Sequence, residues 1–391
     1  MPAKITDDEK IPKIPNLDVA QWKFFLKSHP NCAKTEEKLM AEVKAKEMAP
    51  FYADMCAELE RTPDKKILSD LKAKNKEQLK KLDEKIEAAG QVEGDVSTDV
   101  RDAMIEKATY YSQIGDKEEA LALYKKVLAL EKNVTLGIRL DLTFAILRIG
   151  LFYNDRKLIT ENVEKAKKMI DEGGDWDRRN RLKVYEGLYC ITIRDFKRAA
   201  ELFLGAVATF TSYELMEYEE FIRYVVIVSM VALPRHQLWS DILNGSEILE
   251  VLHSDQASKQ YALAFYNSQF DKFFRGLAFV EQDLKNNRFT HEHYKYYTRE
   301  MRILAYNQQL KAYNSMSLEY MSKAFGVSVK FLDRELSNFI TAGRIHAKID
   351  KVNGIIETNR PDAKNKQYQD VIRKGDLLLN RVQKLSRVIN I

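Results

Sequence analysis

The chain has 391 residues, and its 63 lysines and arginines nearly balance 58 aspartates and glutamates, which leaves a formal charge of +5. At roughly 150 residues per domain, this length predicts two or three domains and excludes a single small module. So small a net charge gives no reason to expect nucleic acid as the main partner. The wide spacing of Cys32, Cys56 and Cys190 fits a reducing compartment better than a disulfide framework and excludes zinc fingers and ribbons.

The first twenty residues carry Pro2, Pro12 and Pro15 among charges, and they predict a loose leader without a stable element. The N-terminus lacks the apolar core of a signal peptide. The longest apolar run, Val225–Leu233, is shorter than the ~20 residues that a membrane-spanning helix needs. We therefore expect a soluble intracellular protein. Its expected location is the cytoplasm and the nucleus. Few glycines and prolines interrupt the chain, so helix is expected nearly throughout.

Residues 64–89 predict a charged amphipathic helix, which Asp64 can cap after Pro63. The glycines and polar residues of 90–98 predict a linker, with a domain boundary near residue 95. Beyond it, helical hairpins recur at Tyr110–Tyr124, Ile149–Ala166 and Leu188–Phe203.

The turn of each hairpin contains an aspartate that can cap the following helix. These three aspartates, Asp116, Asp155 and Asp195, stand 39 and 40 residues apart, farther than the ~34 of standard tetratricopeptide repeats. The middle hairpin is irregular, because Ile159 stands where the others have Ala120 and Ala199. We expect an irregular solenoid to about residue 310, with its aromatic residues in the core: Phe265, Phe270, Phe273 and Phe274.

A winged helix is predicted from Ser317 onward. Leu318, Met321 and Phe325 mark a short helix that Gly326 ends, and Ser328 can cap a second helix. The pattern then alternates through Ile345, Ala347 and Ile349, which predicts a strand. Asn353-Gly354 suits a type I′ turn, and Ile355, Ile356 and Glu357 begin the return strand.

Many winged helices bind DNA through the second helix, but here Lys330 and Arg334 are offset by Asp333 and Glu335. A nucleic-acid-binding regulator therefore remains only an alternative. The hairpin instead offers a strand edge that a neighbouring protein can extend. We predict partner binding at five hairpin positions: Ile345, Ala347, Ile349, Ile355 and Ile356.

The last segment predicts a helix with a heptad seam. Apolar residues fall at alternating steps of three and four, with Gly375 in one core position; they are Val371, Leu378, Val382, Leu385 and Ile389. This seam is predicted to bind a partner. The alternative is that the helix packs back onto its own domain.

Catalytic motifs are missing from the sequence. Neither GxxxxGK[ST] nor GxGxxG occurs, and Asp175 after Gly173-Gly174 is a natural helix cap. His291 and His293 have the HxH spacing of metal-dependent isopeptidases, but Met301 and Leu304 stand where that motif needs Ser and Asp, so they predict solvated surface histidines. Cys190 predicts a buried structural thiol, although a chance pairing with His236 or His253 stays open. No cofactor, metal or catalytic residue is expected.

The order of repeats, winged helix and tail resembles the PCI-domain family, the scaffold subunits shared by the proteasome lid, the signalosome and translation initiation factor three. The strings most similar to lid members are FTSYELM at 210–216, ETNRPD at 357–362 and GDLLLNRVQKLSRVIN at 375–390, together with residues 171–185. The similarity runs from about Met48 to the end.

This resemblance implies a non-catalytic scaffold of the proteasome lid in ubiquitin-dependent degradation. It would pair its winged helix edge to edge with other PCI subunits, in a hetero-oligomer, and enter a bundle of lid helices with its C-terminal helix. The ATPase ring is a further candidate contact, whereas nucleic acid and membrane are not expected. A signalosome subunit is the nearest alternative.

The predicted fold is mainly α, with an irregular TPR-like solenoid, a winged-helix module and a C-terminal helix. The predicted segments are a leader and charged extension (1–95), TPR-like repeats (96–192), a PCI domain (193–361, with its winged helix at 316–361) and a heptad helix (362–391).

Overall fold

A computed structural model describes residues 11–90, 96–129, 135–359 and 363–389. These residues form nineteen α-helices, two 3-10 turns, one π-helical turn and three β-strands, which confirms the predicted mainly α fold class. They divide into two compact units. Unit 1 comprises the described residues up to Ala262 together with Ala278–Tyr297, and unit 2 comprises Leu263–Leu277 together with those from Thr298 onward. The four segments proposed from sequence stay a prediction.

The regular structure of unit 1 is entirely helical among the described residues. Its helices are α1 (Leu17–Ser28), α2 (Ala33–Ala45), α3 (Ala49–Glu58), α4 (Lys65–Gly90), α5 (Val96–Ile114), α6 (Lys117–Ala129), α7 (Leu136–Tyr153), α8 (Arg156–Asp171), α9 (Trp176–Thr192), α10 (Phe196–Leu204), α11 (Tyr218–Ala232), α12 (Arg235–Gln237) and α13 (Ser246–Ser254). From α4 to α11, each helix packs against the next along the chain. None of the described helices is long and apolar enough to cross a membrane.

Three further helices have residues in both units: α14 (Gln256–Tyr266), α15 (Phe270–Asn286) and α16 (Tyr294–Leu310). The remaining elements belong to unit 2 and are β1 (Ser315–Ser317), α17 (Leu318–Phe325), α18 (Val329–Thr341), β2 (Ala347–Asp350), β3 (Ile355–Thr358) and α19 (Ala363–Ile389). The core of unit 2 gathers around Phe325, whose ring lies 4.6 Å from Phe270 and 4.8 Å from Tyr306. Phe265, Phe270 and Phe273 are buried, as predicted, whereas Phe274 is half-buried.

The three hairpin turns share one geometry. The residue before each aspartate is left-handed, with φ of 85° at Gly115, 53° at Asn154 and 67° at Arg194. Each aspartate then caps the next helix, and its carboxylate accepts a backbone N–H three residues on: Asp116 from Glu119, Asp155 from Leu158 and Asp195 from Arg198. The predicted caps are therefore confirmed.

The irregular middle hairpin has a packing explanation. A Cβ added to Gly150 on α7 would lie 2.9 Å from Cγ1 of Ile159 on α8. The missing side chain of Gly150 therefore makes room for Ile159, which is buried at a position where the other hairpins have buried alanines. In this hairpin the smaller residue stands on α7 and the larger one on α8, so the space between the two helices is still filled.

The prediction of a loose leader is wrong from Leu17 onward. Leu17, Val19 and Leu26 of α1 are buried, and the Asn16 side chain caps the helix by accepting from Asp18 N at 3.1 Å. The Gln21 amide donates to the Asn286 carbonyl oxygen at 2.7 Å. Residues 1–10 lie outside the described part of the chain. The helix was not predicted because distant residues hold it in place.

The charged helix is confirmed as α4, and Asp64 caps it by accepting from Lys66 N at 3.0 Å. The linker predicted at 90–98 is too long at both ends, because α4 reaches Gly90 and α5 begins at Val96. Residues 91–95 lie outside the described residues. Unit 1 continues through this point, so the division into units does not fall near residue 95.

Candidate assembly surfaces

The winged helix of unit 2 begins with two short capped helices. The Ser317 hydroxyl accepts from Tyr320 N at 3.2 Å to start α17, and left-handed Gly326 (φ 66°) ends that helix. The Ser328 hydroxyl accepts from Phe331 N at 3.3 Å to start α18. Both helices and both caps agree with the sequence prediction. Each helix has a buried face, which includes Met321 on α17 and Leu336 on α18.

The sheet has three strands in the order β1-β3-β2, all antiparallel, rather than the two of a simple hairpin. Strand β1, in which buried Met316 stands between two exposed serines, was not predicted. The alternation was present in the sequence, but three residues are too few to predict a strand. Since β3 lies in the middle, β2 is left as an edge strand.

The loop between β2 and β3 differs from the predicted two-residue turn. Asp350 pairs with Ile355 in the sheet, so Lys351–Gly354 form a four-residue loop. Gly354 has a φ of 65°, whereas Asn353 is not left-handed, and a type I′ turn needs both. The Asp350 carboxylate instead accepts from Val352 N at 2.9 Å and from the Asn353 side chain at 2.7 Å, and these bonds lower the pKa of Asp350.

The outer edge of β2 presents the backbone groups of alternate residues. His346 O accepts from Asn359 N at 3.0 Å, and hydrogen-bonded pairs alternate along an antiparallel ladder, so Lys348 bonds to Glu357. The N–H and C=O groups of Ala347 and Ile349 therefore point away from β3. Main-chain groups in this position can pair with a strand from another protein.

The side chains of the five predicted hairpin positions lie mainly inward. Ile345, Ala347 and Ile356 are buried in the described structure, and Ile349 and Ile355 are half-buried. The side chains of Ile345, Ala347 and Ile356 are therefore not accessible to a partner in this structure, and Ile356 lies on the central strand β3, whose backbone bonds to β1 and β2. Partner binding at these positions stays a prediction.

The exposed charge of α18 differs slightly from the sequence count. Glu335 faces inward, where it accepts from the Tyr306 hydroxyl at 2.5 Å and pairs with Arg302 at 2.5 Å. Asp333 pairs with Lys351 at 3.4 Å. The exposed cations of this helix are Lys330 and Arg334. Two lysine or arginine contacts are few for a surface that must neutralise phosphates.

The C-terminal helix α19 exposes its apolar residues. The predicted seam is exposed throughout, at 67% for Val371, 63% for Leu378, 57% for Val382, 59% for Leu385 and 71% for Ile389. The alternative that this helix packs its seam onto its own domain is therefore wrong for the described residues. Burying an aliphatic side chain is worth roughly 1.5 to 3 kcal/mol, so this exposed apolar surface is a candidate binding surface.

A second apolar stripe accompanies the seam and was not predicted. Tyr368, Ile372 and Leu379 are also exposed, and at about 100° per residue they widen the apolar arc to about 140°. Their spacing of four and seven residues was visible in the sequence, but only one stripe was counted. An arc wider than an a/d seam suits contact with more than one partner helix.

The residues considered for chemistry have structural contacts. His293 Nε2 donates to Thr192 O at 2.8 Å and His291 Nδ1 donates to Lys285 O at 2.6 Å, so these histidines are half-buried and hydrogen-bonded rather than fully solvated. Cys190 is a buried free thiol, as predicted, and burial raises its pKa to about 11. Asp175 stands before α9 but makes no capping bond, and it pairs with Arg178 instead.

Comparison with known proteins matches three successive parts of the chain. Residues 64–241 match "26S proteasome subunit RPN7", residues 264–360 match "PCI domain", and residues 367–389 match "26S proteasome regulatory subunit RPN7/PSMD6 C-terminal helix". The "26S proteasome non-ATPase regulatory subunit 6" of Dictyostelium discoideum is 44% identical, over 98% of this chain and 100% of its own length. The chain belongs to the RPN7 family of 26S proteasome regulatory subunits.

Two other members show how broadly the RPN7 family likeness extends. The "26S proteasome non-ATPase regulatory subunit 6 homolog" of Arabidopsis thaliana is 45% identical over 96% of this chain and 97% of its own length. The "26S proteasome regulatory subunit RPN7" of Saccharomyces cerevisiae is 34% identical, over 98% and 95%. By contrast, the "COP9 signalosome complex subunit 1" of Arabidopsis thaliana is 25% identical over 50% of this chain. The signalosome alternative is therefore only distant.

Proposed function

We propose that this chain is a non-catalytic scaffold of the 26S proteasome lid that joins its neighbours through two surfaces of unit 2. One surface is the outer edge of β2, which pairs with a strand of another PCI-domain subunit. The other is the apolar arc of α19, which enters a bundle with helices of other lid subunits. The chain would act in ubiquitin-dependent protein degradation, in cytoplasm and nucleus, with catalysis left to other subunits.

The exposed arc of α19 is the observation that carries this proposal. Its eight apolar side chains are each more than half exposed in the free chain. At about 100° per residue, Arg373, Lys384 and Arg387 fall on the opposite side of the helix, where they are exposed to solvent. A helix with this division is stable when other helices cover its apolar face and water covers the charged one.

A double variant within the arc and a single control variant outside it test this proposal. Leu378→Glu with Leu385→Glu places two charges within the arc, whereas Leu377→Glu places one on the opposite side, at a residue that is 56% exposed. Each tagged chain is expressed in cells, and its stable companions are quantified by mass spectrometry. We expect the double variant to lose lid subunits at least tenfold and Leu377→Glu to retain them. Full recovery with the double variant would refute the bundle.

A further inference from the structure

A cavity of about 280 Å³ opens on unit 1 beside α1. Its walls come from α1, α3, the end of α7 and the segment between α15 and α16. Four phenyl rings line it, belonging to Phe24, Phe51, Phe152 and Phe289. This size lies at the small end of ligand pockets, and the rings provide a surface for one large apolar side chain.

The carboxylates of this cavity are already neutralised. Glu58 pairs with Lys23 at 2.8 Å, and Glu292 pairs with Arg156. Lys27 and Arg288 also line the cavity, and within the described residues neither has a carboxylate partner. The site therefore has an excess of positive charge that its own acidic residues do not balance.

Arg288 is a partly buried cation held in a fixed position. Its guanidinium donates to the carbonyl oxygens of Phe152, at 3.0 Å, and Leu151, and its Cζ lies 4.5 Å from the Phe289 ring centroid. The carbonyls satisfy two N–H groups and, as the negative end of the α7 dipole, offset part of the Arg288 charge, but they are not a full counter-ion. Burial lowers the pKa of Arg288 to about 10, as expected for a cation that lacks a counter-ion.

We propose that this cavity binds a partner segment that places one carboxylate beside one large apolar side chain. The carboxylate neutralises Lys27 and Arg288, and the apolar side chain packs among the phenyl rings. A monoanion fits better than a phosphate, because the negative end of the α7 dipole also faces the cavity, at Phe152 and Tyr153. The site uses no residue of the winged helix or α19, so it is a docking point additional to the two proposed above.

Fluorescence anisotropy with two labelled peptides tests this site in the full chain. In one peptide, a glutamate next to a phenylalanine is the only charged side chain. The other peptide has glutamine in place of this glutamate. We expect the glutamate peptide to bind at least fivefold more tightly. Equal affinity of the two peptides would overturn the proposal, as would stronger competition by inorganic phosphate than by acetate.

Matched lysine variants locate the binding. Lys27→Glu changes an exposed residue of the cavity rim, whereas Lys38→Glu makes the same change on the exposed face of α2. Both variants are expected to fold, and circular dichroism checks this. Lys27→Glu should lose the preference for the glutamate peptide, and Lys38→Glu should keep it. An unchanged preference in Lys27→Glu would overturn the assignment to this cavity.

Discussion

The hydroxyl of Tyr153 donates a 2.5 Å hydrogen bond to the carbonyl oxygen of Gly115, which joins the end of α7 to the turn of the preceding hairpin. Lys117 lies beside the same ring, with its Nζ 5.6 Å from the centroid, and pairs with Asp155 at 2.8 Å. Side-chain contacts therefore connect the turns of two successive hairpins. Stacking of the hairpins rests on these polar contacts as well as on apolar packing.

Tyr153→Phe should lower the free energy of unfolding by about 1 kcal/mol, the net value of a hydrogen bond whose acceptor is left behind. Burial raises the pKa of Tyr153, so the hydroxyl stays protonated and able to donate at neutral pH. Urea denaturation followed by circular dichroism measures the change. The control is Tyr368→Phe on α19, where the ring is 67% exposed and no loss is expected. Equal stability of the two variants would show that the Tyr153 hydrogen bond does not contribute to the free energy of unfolding.

Asp155→Ala should destabilise the chain more than Asp195→Ala. Both variants lose a helix cap worth about 1 kcal/mol, but only Asp155 also pairs with a lysine, Lys117. That partly exposed pair adds up to about 1 kcal/mol. Urea denaturation of both variants, with Lys117→Met as a third, measures the difference. If Asp155→Ala and Asp195→Ala cost the same, the pair contributes nothing.

The pH dependence of the Asp155 contribution follows from its pKa. The bonds from Lys117 and Leu158 N lower this pKa below 3.8, its value in the unfolded chain. Its stabilising effect is therefore fully present above pH 3.8 and is lost as the pH falls through the lower folded value. The stability gap between the native chain and Asp155→Ala should be constant from pH 7 to about 5 and shrink in stronger acid.

Gly150 and Ile159 should show strong coupling in a double-mutant cycle. Gly150→Ala forces a contact with Ile159 and should cost about 1 to 3 kcal/mol, despite the better helix propensity of alanine. Ile159→Ala should cost about 2 to 5 kcal/mol through the space it leaves. Together they reproduce the alanine of the other hairpins, so the double variant should cost less than the sum. Gly375→Ala, with nothing within 4 Å, is the control and should cause no loss.

Ile349→Pro tests the outer edge of β2 without breaking the backbone hydrogen bonds between β2 and β3. The Ile349 N–H points away from β3, so a proline there removes only an outward donor, which edge strands tolerate. Lys348→Pro removes a donor to β3 and should destabilise the module. We expect Ile349→Pro to keep the native circular dichroism spectrum and lose PCI-domain companions in co-purification. Undiminished companions would contradict strand pairing at this edge.

The features that the sequence predicted correctly are those with local causes. The aspartate caps and the α17 and α18 helices each depend on residues within a few positions. The seam of α19 could also be predicted, because its regular spacing is visible in the local sequence. Its exposure could not be predicted, since that depends on whether any other part of the chain covers it.

The missed features depend on distant contacts. α1 carries a recognisable cap at Asn16, but its place is fixed by Gln21, which contacts Asn286 and also accepts from Arg288 N at 3.0 Å. β1 is three residues long and becomes a strand through Ile355–Glu357, forty residues later. His291 and His293 likewise find their carbonyl partners only in the folded chain. The cavity beside α1 could not be predicted for the same reason.

Native mass spectrometry of the tagged chain purified from cells tests the scaffold role most directly. We expect the full chain to be recovered in a hetero-oligomer with other proteasome lid subunits. A chain lacking residues 371–391 should be recovered mainly as a folded monomer. Recovery of the full chain, under the same conditions, as a free monomer would contradict the scaffold role.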